Sequence, residues 1–143
     1  MWFILVVMVF FPADAKSDEQ SQEEYILPGW METVFKRLHK PYNAFLRWDG
    51  ALAAEALEEA MSTFRAEDID LRIRAQREFS TEENRTLRPT SMVTMTLKSY
   101  LLENAQKLKR LPEGTNYGCG GIFNTKGGDN LMSVTCLYYY FFL

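Results

Sequence analysis

The spacing of hydrophobic positions predicts two amphipathic helices in the first half of the chain. In residues 30–39 apolar side chains recur at helical intervals, and Pro41 ends the pattern. Residues 50–64 predict a stronger helix, because Asp49 can cap its start and because alanine and leucine favour helices. The apolar stripe of this second helix comprises Leu52, Ala53, Ala56, Leu57, Ala60, Met61 and Phe64. Three glutamates on its other side, Glu55, Glu58 and Glu59, are interpreted as a solvated face.

The pattern then changes period. Residues 69–74 alternate between apolar and charged side chains, which predicts a strand with one buried face. Residues 80–91 are polar and are predicted to form a loop. Residues 92–97 fit either a strand or the start of a helix, whereas 97–110 predict a helix with a basic last turn.

The last third of the chain predicts a β-hairpin that contains both cysteines. Two apolar runs flank Gly127-Gly128, and paired glycines favour a two-residue turn, since both can adopt positive φ. With that turn, residues that face each other have numbers that sum to 255, so Cys119 faces Cys136. Directly opposed cysteines lie at a Cα separation that a disulfide accepts, at the short end of its range. We therefore predict a structural disulfide, with reactive or metal-binding thiols as the alternative.

Other readings of this glycine-rich segment fit less well. A phosphate-binding loop requires a lysine after its glycines and a helix beyond them, whereas Lys126 precedes the glycines and a strand follows. A zinc site needs about four ligands. The chain has two cysteines and one histidine, His39. Gly120 and Gly121 are predicted to let another layer approach the sheet closely.

Composition bounds the organisation and the environment of the protein. The 143 residues are 47% hydrophobic and carry a formal charge of −3, which suits one domain and excludes a basic surface for nucleic acid. Residues 1–15 resemble a signal peptide that lacks a basic start, with a buried strand or a misplaced start codon as alternatives. Residues 16–27 are interpreted as a flexible acidic leader to a single domain, 28–143. Asn84 begins an Asn-Arg-Thr sequon, a predicted glycosylation site.

Two segments carry a family resemblance. "LRWDGALAAEALEEA", residues 46–60, resembles a helix-opening signature of the CAP superfamily, and "YGCGG…VTCLY" resembles that superfamily's last hairpin. In its reduced pattern the chain looks most like the coccidian surface antigen (SAG) family. The resemblance implies an α+β fold, a single three-layer αβα sandwich with an antiparallel sheet and a C-terminal hairpin. It also implies a role at the parasite surface.

Candidate chemistry is sparse. His39 is predicted to lie on the surface near a helix end, and Trp30, Trp48 and Tyr138 are predicted to be core residues. No nucleophile motif and no second histidine are present, so we expect no catalytic residue, no metal and no cofactor. The end of the chain, "LYYYFFL", lacks the small residues and polar spacer of a lipid-anchor signal.

These observations favour a non-enzymatic antigen, secreted or displayed on the cell surface, that functions in host-cell attachment or immune exposure. Its expected partners are host cell-surface molecules or antibodies, with no nucleic acid and with membrane contact only through a lipid anchor. The alternative is a secreted inhibitor or effector of a host hydrolase that uses residues 79–91 as its contact loop. The oligomeric state is left open by the sequence.

Overall fold

The computed structural model of the protein describes residues 24–125 and 130–141, and within these ranges the fold is α+β. The signal peptide predicted at residues 1–15 and the turn predicted at Gly127-Gly128 lie outside the described residues. The elements in chain order are β1 (Glu24–Ile26), a 3₁₀ turn (Gly29–Met31), α1 (Glu32–His39), β2 (Arg47–Trp48), α2 (Gly50–Met61), β3 (Leu71–Glu78), α3 (Thr81–Thr86), α4 (Pro89–Glu103), α5 (Ala105–Arg110), β4 (Asn116–Asn124) and β5 (Leu131–Tyr139).

The five strands form one sheet in the order β1-β4-β5-β3, with β2 also paired to β4. Strand β1 pairs antiparallel with residues 122–124 of β4, and β2 pairs parallel with residues 116–117 of the same strand. The predicted antiparallel sheet is therefore correct for every pair except β2–β4. The predicted flexible leader is wrong in its last part, because residues 24–26 are a strand. Backbone pairing with β4, which is distant in sequence, orders these three residues.

The register of the terminal hairpin is confirmed. Strands β4 and β5 pair antiparallel with Cys119 opposite Cys136 and with Tyr117 opposite Tyr138, and all their facing residues have numbers that sum to 255. The turn chemistry therefore predicted a register that reaches the far ends of both strands, because side chains alternate strictly along a strand.

Helices pack on both faces of the sheet. Helix α2 covers one face, which we call the α2 face, where Leu52 and Ala56 pack against Leu137. Helices α1 and α4 cover the other, the α1/α4 face, which contains most of the core. The layering matches the predicted helix–sheet–helix arrangement. Buried hydrophobic residues on the α1/α4 face include Met31, Val34, Phe35, Ile73, Ala75, Val93, Leu97, Leu101, Cys119, Cys136 and Tyr138.

The segment predicted as a polar loop is helical. Ser80 caps α3 by accepting the Glu83 N–H, and the Glu83 carboxylate accepts the Ser80 N–H in return. Pro89 then occupies the first turn of α4, and residues 92–97 continue that helix rather than a strand. The sequence contains the capping-box pattern Ser-x-x-Glu, which favours a helix start, whereas the polarity of the stretch favours a loop.

Burial corrects two further predictions about apolar residues. Trp30 is 57% exposed rather than buried, because the 3₁₀ turn that carries it directs Met31 into the core instead. The apolar stripe predicted for the second helix is buried at Leu52 and Ala56, whereas Met61 is exposed and Phe64, also exposed, lies beyond the end of α2. Of the other two predicted core aromatics, Tyr138 is buried and Trp48 is partly buried.

Candidate functional site

The two cysteines lie in the middle of the terminal hairpin, on the α1/α4 face. Their Sγ atoms are bonded, with the Cα atoms 4.1 Å apart, and both residues are buried. Gly118 and Gly120 flank Cys119 and project toward α2, on the opposite side of the strand. The geometry is that of a cross-strand clasp inside the core. Formation of this bond in the secreted protein remains a prediction, and thiol labelling tests it.

His39 is buried, with 1% of its surface exposed, so its predicted surface position is wrong. It is the last residue of α1, and its Nδ1 lies 2.7 Å from the carbonyl oxygen of Phe35. Because a carbonyl only accepts, Nδ1 carries the proton and Nε2 accepts the hydroxyl hydrogen of Tyr138 at 2.6 Å. Both ring nitrogens are therefore engaged within the protein.

The environment keeps His39 neutral. Burial lowers the pKa of His39 to about 4, against the opposing effect of its hydrogen bond to Phe35. The rings of Tyr117 and Tyr138 lie 4.6 and 5.6 Å from the imidazole, measured between centroids. Burial also raises the pKa of Tyr138 well above its usual value. At neutral pH this cluster contains uncharged aromatic groups and no poised general base.

A cleft of about 180 Å³ opens beside this cluster, lined by Lys36, Lys40, Trp48 and Tyr117 among others. Tyr117 is 3% exposed, and its hydroxyl makes no hydrogen bond within residues 24–125 and 130–141. Burial, and next the carboxylate of Glu32, raise the pKa of Tyr117 to about 12. The cleft can accept a small polar group. The Tyr117 hydroxyl that adjoins it remains protonated at neutral pH.

The same region contains a group of residue types that bind metals elsewhere. Ligand atoms of His39, Cys119 and Cys136 lie within 4.8 Å of one another. The metal ligand of cysteine is the thiolate, and here both sulfurs are bonded to each other. The histidine nitrogens are also occupied. With the disulfide intact, this cluster is structural.

Glu59 is buried, which corrects the predicted solvated face of α2. Its carboxylate accepts three hydrogen bonds from Arg72: Nε to Oε1 and Nη2 to Oε2, both at 2.9 Å, and a longer one from Nε to Oε2 at 3.3 Å. It also accepts one from the N–H of Ala66 at 2.7 Å. Burial alone raises the pKa of Glu59, but these bonds and the charges of Arg72 and Arg74 outweigh it, so the pKa is lowered. The pair ties α2 to β3 and to the loop between them, a structural role.

The sequon residue Asn84 lies in α3 and lines a largely apolar cleft, which has a volume of about 680 Å³. It is partly exposed, and its side-chain amide makes no hydrogen bond to any residue that the structure describes. Thr86, the third sequon residue, is exposed. The predicted glycosylation site is thus sterically open, and its occupancy remains a prediction.

Sequence reasoning missed the cluster of Tyr117, Tyr138 and His39, although signals for it existed. The hairpin register that pairs the cysteines also places Tyr117 opposite Tyr138, two residues from the disulfide on the same face. His39 follows Phe35 by four residues, which puts it on the apolar side of α1. The polarity of histidine favours the surface, whereas the position of His39 on the helix indicates the core.

Within the residues that the structure describes, we find no helix whose length and hydrophobicity would let it span a membrane. We also find no solved structure that is significantly similar to this chain.

Comparison with known protein families corrects the resemblance drawn from short motifs. The model of the 15 kDa excretory/secretory protein family matches residues 34–140, whereas the coccidian surface antigens and the CAP-like identification receive no support. The two motifs perform local structural roles, helix capping and close helix–strand packing, that also occur in unrelated folds. Asp49 caps a helix, with its carboxylate 2.9 Å from the N–H of Ala51, and the hairpin glycines admit a close helix.

Two relatives cover nearly the whole chain. The 15 kDa excretory/secretory protein of Haemonchus contortus is 31% identical over 144 residues, which is 95% of each chain. The 30 kDa antigenic glycoprotein of Trichostrongylus colubriformis is 31% identical over 124 residues, 87% of this chain and 89% of its own. These relatives indicate a secreted, extracellular protein. The extent of the match shows that the chain belongs to the nematode 15 kDa excretory/secretory protein family.

Proposed function

We propose that the protein is a non-enzymatic secreted antigen that acts through binding at the host interface. Its relatives are named as an excretory/secretory protein and as an antigenic glycoprotein, and neither name describes an enzyme. Attachment to host cells and recognition by antibodies are the two activities that this function comprises.

The observation that carries the proposal is the state of His39. It is the only histidine of the chain, and both of its nitrogens are hydrogen-bonded inside the core. Histidine is the side chain most often used as a general base, and this one is buried, neutral and already satisfied. A scaffold that uses its histidine for structure supports binding over catalysis.

Exposed aromatic residues support a contact surface. Trp30 and Phe45 are 57% and 64% exposed, and tryptophan is enriched in the hot spots of protein interfaces. Trp30 lies in the 3₁₀ turn Gly29–Met31, between β1 and α1, so ordered backbone holds it in place. We propose that Trp30 contacts the host molecule.

The test uses protein secreted from a eukaryotic host in wild-type, Trp30→Ala and Phe45→Ala forms. We expect wild type to bind host cells and serum antibodies from infected animals, and we expect Trp30→Ala to lose at least tenfold in cell affinity. Phe45→Ala is the matched control, since it also removes an exposed aromatic ring. Equal binding by all three forms would contradict the role of Trp30.

Catalysis is tested separately with the same preparations. We expect no specific hydrolysis of peptide, ester or glycoside substrates by the wild type. Specific hydrolysis that disappears in a folded His39→Gln variant would overturn the non-enzymatic assignment. Surface labelling of intact parasite cells, with and without phospholipase release, distinguishes a free secreted form from a lipid-anchored one.

The alternative, an inhibitor or effector of a host hydrolase, has less support. It required residues 79–91 to be an exposed contact loop and the sheet to have an open face. Residues 81–86 and 89–91 are instead helical, and helices cover both faces of the sheet. Dose-dependent inhibition of a host hydrolase by the folded protein would revive it.

A further inference from the structure

The cleft beside Asn84 is lined mainly by apolar side chains. Tyr25, Ile26 and Phe123 contribute apolar surface, and none of the described residues that line the cleft is charged. Its volume of about 680 Å³ lies in the range in which protein pockets hold small organic molecules. A neutral ligand with apolar faces would match this lining, whereas a charged one would lose its hydration without a partner.

The rim of this cleft exposes large apolar side chains. Tyr25 is 50% exposed and Ile26 is 56% exposed, on the short strand β1. Exposed apolar groups that adjoin a concave surface mark a place that is covered by something else. The first sugar of an N-linked glycan has an apolar ring face and an acetyl methyl group, and both can pack against an aromatic ring.

Asn84 places such a glycan at the cleft. It lines the cleft, belongs to a sequon and has a side-chain amide with no hydrogen bond to any residue in the described ranges. We propose that Asn84 carries an N-linked glycan whose first N-acetylglucosamine lies in this cleft against Tyr25, so that the modification completes the apolar surface of the domain. The inference rests on the secretion that the proposed function requires.

The covalent step is ordinary N-glycosylation. The Asn84 amide nitrogen forms a bond to the anomeric carbon of a dolichol-linked oligosaccharide, and the diphosphate leaves with the lipid while the nitrogen loses one proton. The secretory pathway supplies the oligosaccharide donor. The glycan remains neutral if it is of the high-mannose type, which suits the uncharged lining.

The experiment compares trimmed forms of one folded preparation, secreted from cells that make high-mannose glycans. Endoglycosidase H leaves a single N-acetylglucosamine on Asn84. Peptide N-glycosidase F, used on the untrimmed protein, removes the whole glycan and converts Asn84 to aspartate. We expect mass spectrometry to show occupancy at Asn84. We expect the Endo H form to keep the Tm of the untrimmed protein, and the fully deglycosylated form to melt about 3 °C lower.

A second measurement reports on the cleft itself. An environment-sensitive apolar dye should bind the fully deglycosylated form at least fivefold more strongly than the single-sugar form. Thr86→Ser keeps the sequon and is the matched control for Thr86→Ala, which abolishes it. In Tyr25→Ala we expect the Tm difference between the single-sugar and sugar-free forms to disappear, because the contact is absent.

Each result decides the inference. An unmodified Asn84 in the secreted protein overturns it and leaves the proposed antigen function intact. Equal Tm and equal dye binding with and without the first sugar also overturn it, as does a sugar effect that persists in Tyr25→Ala. An apolar small molecule found in the cleft of the glycosylated protein would show a different occupant.

Discussion

The two faces of the sheet are packed in opposite ways. On the α1/α4 face large side chains fill the space, and Tyr117, Tyr138, His39 and the disulfide lie in one contiguous core. On the α2 face backbone meets backbone, since a Cβ added at Gly120 would lie 2.9 Å from the Cα of Leu57. The same two strands therefore present bulky residues on one side and glycines on the other.

The contrast shows which interactions each face depends on. The α1/α4 face buries much apolar surface and is stabilised by many distributed contacts, so the change of one polar group alters it moderately. The α2 face has a thin core of few residues and relies on close approach and on the Glu59–Arg72 pair. We expect it to be the less tolerant of added volume.

The largest effect is expected from Gly118→Val on the α2 face. A Cβ at Gly118 would lie 2.7 Å from the Cα of Ala53, so α2 must move away from the sheet. The expected loss in the free energy of unfolding is about 3 kcal/mol or more, and failure to fold is within this expectation. Gly29→Ala is the control, because nothing lies within 4 Å of its added Cβ. Equal urea midpoints for the two variants would contradict this account of the α2 face.

Removal of the disulfide is expected to have the next largest effect, on the other face. The double variant Cys119→Ala/Cys136→Ala should lose about 3 kcal/mol, because the bond closes a loop with a sequence separation of 17 and restricts the unfolded chain. Urea unfolding measures the loss, and reduced wild type should approach the variant. Labelling of unreduced wild type should find no free thiol, and quantitative labelling of both cysteines would refute the disulfide.

Loss of the ion pair on the α2 face is expected to cost somewhat less. Glu59→Ala leaves Arg72 without its bidentate partner and Ala66 without an acceptor for its N–H. The pair lies just beneath the surface, since 16% of the Arg72 side chain is exposed, so we expect a loss of about 2 kcal/mol rather than the full cost of a deeply buried charge. Glu58→Ala removes an exposed neighbour and should change the urea midpoint little. A similar midpoint for both variants would contradict the structural role of Glu59.

The last expected effect, similar in size to loss of the ion pair, depends on pH and concerns the α1/α4 face. The pKa of His39 is about 4 in the folded protein and 6.5 without the fold, so the unfolded chain binds the proton first as pH falls. The neutral buried state is fully favourable above about pH 6.5, and its contribution is lost progressively down to about pH 4. We expect a loss of about 2 kcal/mol at pH 5 relative to pH 7 from this group. A His39→Gln variant should lack this part of the pH dependence, and identical pH profiles would contradict the assignment.

The sequence predicted most of the local structure around these features. The sequence predicted the Asp49 cap, the helical period of α1 and α2 and the register of the hairpin. Each depends on residues that are close in the chain or related by one turn. The prediction of a loop for the polar segment that forms α3 is wrong, although Ser80 and Glu83 match the capping-box pattern of a helix start. Polarity is a weak guide to a short exposed helix, since such a helix needs no apolar face.

The buried polar residues were beyond what local pattern decides. Glu59 is buried because Arg72, on a strand thirteen residues later, comes to lie beside it. His39 is buried because Tyr138, ninety-nine residues later, donates to its ring. Glu24–Ile26 form a strand only because the edge of β4 is available to them. For Glu59 and His39, a partner distant in sequence offsets the desolvation cost of burying a polar group. For Glu24–Ile26, a distant strand supplies the backbone hydrogen bonds.

The sequence by itself determined α1, α2, β3 and the terminal hairpin, the facing of Cys119 and Cys136, and the motifs that suggested secretion. Turn chemistry, helix capping and side-chain alternation act over a few residues, so they can be recognised in the amino-acid sequence. Only the tertiary structure decided that Gly118 and Gly120 receive α2, that His39 is a core residue, and that Asn84 lies beside an apolar cleft. These outcomes depend on which surfaces meet in the folded chain, because burial belongs to the contact between elements and not to the residue alone.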